Sequence, residues 1–135
     1  MLTDVYRAET NKPIATFIGD LGRSMAMQGF IIHNEDRMEM VHHFGHHGVE
    51  LAEDFDLHLV QVCSPKKSAR SLVENIERAV LMPRSIVVFS VEGRTQIRML
   101  RMGRELVAQL VEDAAFPDLN QEVTVSLVAA IKEAL

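Results

Sequence analysis

The sequence predicts an α+β fold in two layers, with elements in the order βαβαβαββ followed by two helices. Three observations carry this reading. Val62-Cys63-Ser64-Pro65-Lys66-Lys67 reads as a strand end running into a helix start. About one helix-length later, Ser85 to Val91 is a β-branched strand, Glu92-Gly93 is a tight-turn signal, and Thr95 to Leu100 returns. The last third carries two apolar stripes at helical spacing.

Each element has its own signal. Residues 2 to 8 read as a short strand. Pro13 can open a helix, and Ile14, Phe17, Ile18, Leu21 and Met25 follow at helical spacing. Gly29 suits the position just after that helix. Phe30-Ile31-Ile32-His33 reads as a strand. Asn34 is placed to cap a short helix, with Glu35 and Asp36 favourable in its first turn. Met38, Val41 and His42 would share one face of it, and Gly45 and Gly48 weaken it.

Residues 55 to 63 alternate, with Phe55, Leu57, Leu59 and Gln61 on one face and Asp56, His58, Val60 and Val62 on the other. This predicts a strand with at least one buried face. Ser64 supplies a capping oxygen and Pro65 the first helical residue. Ala69, Leu72, Val73, Ile76 and Val80 then make the expected buried stripe, which Pro83 ends. Leu106, Val107, Leu110, Val111 and Ala114 form one C-terminal stripe. Phe116-Pro117-Asp118 breaks it, and Val123, Leu127, Val128, Ile131 and Leu135 form a second. These two helices are either core or a partner surface.

A chain of 135 residues is one domain, long enough to bury roughly two-thirds of its unfolded surface. A net charge of −5 argues against a broad nucleic-acid footprint, because phosphate binding scales with the cations presented. Arg94, Arg98, Arg101 and Arg104 form a local basic stretch on that acidic background. The single cysteine excludes an intrachain disulfide, so the fold needs no oxidising compartment. No apolar run reaches the ~20 residues of a membrane span, and Met1 to Tyr6 lacks the pattern of a signal peptide. The expected location is the cytoplasm.

Gln28-Gly29-Phe30 ahead of a strand, the Val62-Cys63-Ser64-Pro65 junction, and Leu81-Met82-Pro83 before Ile86-Val87-Val88-Phe89 together resemble the domain-of-unknown-function 302 family. The resemblance covers roughly residues 2 to 100. It implies a small α+β domain with a four- or five-stranded, mainly antiparallel sheet, helices on one face, and a homodimer. It implies no established activity. On this reading residues 1–101 are the family-like domain, and residues 102–135 are a C-terminal helical extension packed on it. Many members look like Leu-Pro-Cys where this chain has Met82-Pro83-Arg84, so a second cysteine near Cys63 is missing.

Three groups of residues are candidate sites. His42 with His46, and His43 with His47, stand at i,i+4, the spacing that lets two imidazoles reach one metal. Neutral imidazole suits Zn, Cu, Ni or Fe. The two pairs point about 100° apart on a helix, so Asp36, Glu39 or a second subunit would have to complete a shell. A solvated histidine-rich turn is the alternative. Cys63 sits at a strand end before a helix N-terminus, where the dipole with Lys66 and Lys67 would favour a thiolate. The alternative is a small buried apolar residue. Arg84, with Arg94, Arg98 and Arg101, could bind an anion or could be a solvated or paired surface. Cys63 and Arg84 are the candidate cofactor-binding residues. The methionines read as core and interface filler.

The function expected first is a non-enzymatic homodimeric binding protein, with a metal ion or metal cofactor held by His42, His43, His46 and His47. A thiol-based sulfur-transfer or redox protein using Cys63 is the second reading. A structural interaction module using the C-terminal helices is the third.

Overall fold

The computed structural model describes residues 2–135. Met1, which opens the segment lacking a signal-peptide pattern, lies outside them. The chain runs β1 (Asp4–Thr10), α1 (Ile14–Met27), β2 (Ile31–Ile32), α2 (Met40–His46), β3 (Leu57–Cys63), α3 (Pro65–Glu74), β4 (Arg84–Val91), β5 (Arg94–Arg101), α4 (Arg104–Leu110) and α5 (Phe116–Ala134). A 3₁₀ segment, Ile76–Leu81, lies between α3 and β4. The expected order of elements is therefore present. The five strands form one sheet in the order β1-β5-β4-β3-β2, and every neighbouring pair is antiparallel.

The β4–β5 hairpin follows from its turn residues. Glu92 and Gly93 both take positive φ, 51° and 79°, as a two-residue turn matched to strand twist requires. The inner face of the sheet carries Val60, Val62, Ile86, Val88, Ile97 and Met99, all buried. Two helices cover it. α1 contributes Ile14, Phe17, Ile18, Leu21 and Met25, the stripe its spacing predicts, and α5 packs beside it with Leu127, Ala130 and Ile131. Each large apolar side chain so buried stabilises the fold by roughly 1.5–3 kcal/mol. The α1–α5 seam is also pinned by Ser24 Oγ, which donates to the Ala130 carbonyl at 2.7 Å.

Several expectations change. Asn34 does not cap a helix. Residues 34–37 form a turn, and α2 starts at Met40 with Glu39 as its cap. The Asn34 amide instead bridges to β3, donating to the Leu59 carbonyl and accepting from the Gln61 N–H. Met38 lies ahead of α2 and packs against the main core, while α2 itself buries no residue. Phe55 and Asp56 precede β3, which otherwise keeps the predicted alternation, with Val60 and Val62 inward.

The stripe expected from Ala69 to Val80 is not buried. Val73, Ile76 and Val80 are exposed, and α3 has no buried residue. The helix ends at Glu74 because Asn75 takes an extended conformation, which rotates the following 3₁₀ segment out of phase. The residue that segment buries is Arg78. Ser64 occupies the cap position of α3 but makes no side-chain cap hydrogen bond.

Phe116-Pro117-Asp118 does separate two helices, and the same three residues form the first turn of α5, where Pro lacks no needed donor. In the stripe of α4, Val107 and Val111 are buried and Leu110 is exposed. They form a second small core with Met102 and Phe116. No helix among the described residues is long and apolar enough to cross a membrane.

Candidate functional site

Arg84 and Cys63, the two candidate binding residues, border one cavity. Arg84 opens β4 directly opposite Val62 of β3, and its side chain points to the inner face with Ile86 and Val88. Cys63 and Ser64 follow Val62, so the end of β3 and the start of α3 stand beside Arg84. The cavity holds about 60 Å³, and Cys63, Ser64, Ser68, Arg84, Phe116 and Asn120 are among its lining. α5 closes it from above with Asn120.

Arg84 is only 8% exposed. It donates to Asn120 Oδ1 at 3.2 Å and to Thr124 Oγ1 at 2.8 Å, and Thr124 in turn donates to the Asn120 carbonyl. Both partners are neutral, and no carboxylate lines the cavity among the described residues. Burial without a counter-charge pushes the Arg84 guanidinium down from its ordinary value. Asn120 is 5% exposed, and its Nδ2 has no hydrogen-bond partner among the described residues. The sequence carried a sign of this pair that periodicity alone passes over: Asn120 and Thr124 stand at i,i+4 in the register that Leu127 and Ile131 continue into the core.

Cys63 is half-buried. Strand alternation groups it with Ile31 on the outer side of the sheet, away from Val62. Burial pushes its thiol up, the direction opposite to the one expected from the helix start. Lys66 and Lys67 are exposed and do not reverse that effect.

The four histidines lie on and just after α2, all exposed. The His43 and His47 rings are 5.0 Å apart and those of His46 and His47 5.8 Å. His42 faces a separate open cleft lined by Glu39, Glu53, Asp54, Asp56 and His58. Glu39, one of the groups expected to complete a shell, is engaged: its carboxylate accepts from the N–H groups of Val41 and His42. Among the described residues, no three His, Cys, Asp or Glu side chains are grouped to hold a metal ion.

The arginines of the local basic stretch are partnered. Arg94 pairs with Glu9 and hydrogen-bonds Asn11, and Arg101 forms a two-point pair with Asp4 over the Tyr6 ring. Arg104 pairs with Asp118. Arg98 lies 5.2 Å over Phe89 on the outer face.

A five-stranded antiparallel sheet backed by two long helices, with a polar cavity at one end of the sheet, defines a small α+β domain. The chain belongs to the family described as domain of unknown function DUF302, whose model matches residues 6–134. That match runs through α4 and to the end of α5. A similar fold occurs in the crystal structure of the uncharacterized conserved protein DUF302 from Bacillus stearothermophilus. The two share 21% identity over 97% of this chain and 98% of that one, with a TM-score of 0.81. No curated protein matches the chain.

Proposed function

We propose that this protein is a non-enzymatic, cytoplasmic binding domain whose small ligand occupies the cavity between Cys63, Arg84 and Asn120. The observation that carries the reading is Arg84, a buried guanidinium held only by neutral partners. Burying a charge is costly unless it is paired, and a site that keeps one open can use it on a guest. The test is an NMR titration of the intact protein with a set of small polar compounds. Saturable shifts confined to Ser64, Ser68, Arg84 and Asn120 are expected; shifts elsewhere only would reject the cavity.

The domain works as a homodimer in this reading. The outer sheet face supports it: Leu57, Leu59, Val87 and Phe89 form an apolar strip across β3 and β4, bordered on β5 by Gln96 and Arg98. Sedimentation should give twice the chain mass, and Phe89→Lys should give the monomer. A monomeric wild type would remove the dimer.

The His43–His47 ring pair favours a second reading, in which a transition metal bridges histidines of two chains. Elemental analysis of untagged protein beside His43→Ala/His47→Ala decides it. Near-stoichiometric metal in the wild type alone is the supporting result, and no metal uptake in either protein removes it.

A further inference from the structure

We propose that the ligand of this cavity is a small oxyanion, a carboxylate or an inorganic ion of similar size, held by the Arg84 guanidinium and Asn120 Nδ2 at the N-terminus of α3. The inference rests on the cavity being the ligand site and goes further by assigning the charge and donor pattern of its occupant.

Three independent features converge. Arg84 is a buried cation whose two terminal nitrogens reach only Asn120 Oδ1 and Thr124 Oγ1. Guanidinium groups prefer two-point contacts with carboxylate-like oxygens, so the missing partner of this one is an anion. Asn120 Nδ2 is a donor buried at 5% residue exposure with no acceptor, in a lining residue of the same cavity. Buried donors are nearly always satisfied, and the acceptor absent here is an oxygen. Finally, α3 is ten residues long and begins at Ser64-Pro65, and the Ser64 hydroxyl does not cap it. Its first-turn N–H groups have no carbonyl four residues back, and its dipole favours negative charge at this end. The local chemistry offers a cation, an amide donor and hydroxyls, with no acid in the lining to compete.

Size limits the guest. About 60 Å³ admits a few non-hydrogen atoms, as in acetate or nitrate, and excludes a nucleotide phosphate with its sugar and base. Asn120 is polarised for the role. Its carbonyl oxygen accepts from Arg84, which orients Nδ2 as the remaining free donor.

The experiment is a titration of the intact wild-type protein with sodium acetate, sodium nitrate and neutral acetamide at constant ionic strength. It follows the Asn120 side-chain NH₂, Arg84 Nε and Lys66 and Lys67 amide signals by NMR. Saturable shifts at Asn120 and Arg84 with acetate or nitrate, and none with acetamide, are expected. Acetamide binding as tightly as the anions would overturn the oxyanion assignment while leaving the cavity as a ligand site. No binding by any of the three would overturn both. Asn120→Asp places a carboxylate on Arg84 and should lower anion affinity by about tenfold or more. Asn120→Leu removes the amide without adding charge and should weaken acetate in the same direction. Wild-type affinity retained in both variants would also overturn the assignment.

Discussion

Arg78 and Arg84 stand six residues apart, and both are buried, yet their surroundings are opposite. Arg78 makes a two-point pair with Asp113, at 2.7 and 3.1 Å, and also reaches Glu74 and Ser71. The Phe116 ring lies 5.2 Å from its guanidinium carbon. Asp113 is further held by Asn75 Nδ2 and by the Ala115 and Phe116 N–H groups at the start of α5. Arg84 has two neutral acceptors and a cavity. A fully satisfied buried arginine fastens the 3₁₀ segment to the helical layer. An under-satisfied one of similar burial is a structural cost unless something else completes it. The contrast separates a residue that holds the fold from one placed to hold a guest.

The largest break in that contrast comes from the satisfied side. Asp113→Ala leaves Arg78 buried with only the exposed Glu74 as a counter-charge. The melting temperature should fall on the order of 10 °C. A fall of under ~2 °C would mean that Arg78 finds water instead.

The opposite change should stabilise. Asn120→Asp gives Arg84 the carboxylate that Arg78 already has, and the melting temperature should rise by roughly 3–5 °C near neutral pH. Thermal unfolding of the two variants side by side reads the asymmetry directly; a fall for Asn120→Asp would show that Arg84 needs no counter-charge.

Acid sharpens the comparison further. Arg78 first, then Asn75, hold the Asp113 carboxyl far below the usual carboxylate range. A depressed folded-state pKa contributes stability that is complete above about pH 5 and is lost as pH falls through the unfolded value toward the folded one. Urea unfolding between pH 5 and 2 should show a downward slope on acidification, and Asp113→Asn should flatten part of it. An unchanged slope would place the acid-sensitive group elsewhere.

Cys63 tests the outer side of the β3 strand end. Its thiol is pushed up by burial, so alkylation by iodoacetamide at pH 7.5 should be about three- to tenfold slower than for a small free thiol. Faster reaction would restore the thiol-transfer reading. The smallest effect belongs to Val73, 88% exposed on α3, where Val73→Ser should change unfolding free energy by less than about 0.5 kcal/mol.

Much of the fold is legible in the residues, for reasons these arginines clarify. The α1 stripe and the Glu92-Gly93 hairpin are set by local periodicity and by positive-φ tolerance, and both stand as read. The Ala69–Val80 stripe failed twice over: Ala69 and Val73 are exposed on α3 itself, and the helix ends before Ile76 and Val80. Asn75 interrupts it, and the long side chain of Arg78 reaches inward through a pair with Asp113, which no local pattern encodes. Arg84 was visible as a candidate anion group, but the features that make it a site come from α5, 36 residues further on. The histidine spacing was equally visible. It brought His43 and His47 together, while His42 turned to the acidic cleft.

The Asn34 side chain also stands in for a strand at the edge of β3. β2 is two residues long, so most of the outer side of β3 would otherwise present unpaired backbone groups. The Asn34 amide takes the Leu59 carbonyl and the Gln61 N–H, and the Met38 carbonyl takes the Leu59 N–H. A side chain in place of a strand satisfies the edge but offers no new edge beyond itself. Beside Leu59 and Gln61 the edge is thereby closed, and backbone pairing of a second copy onto that part of β3 is disfavoured.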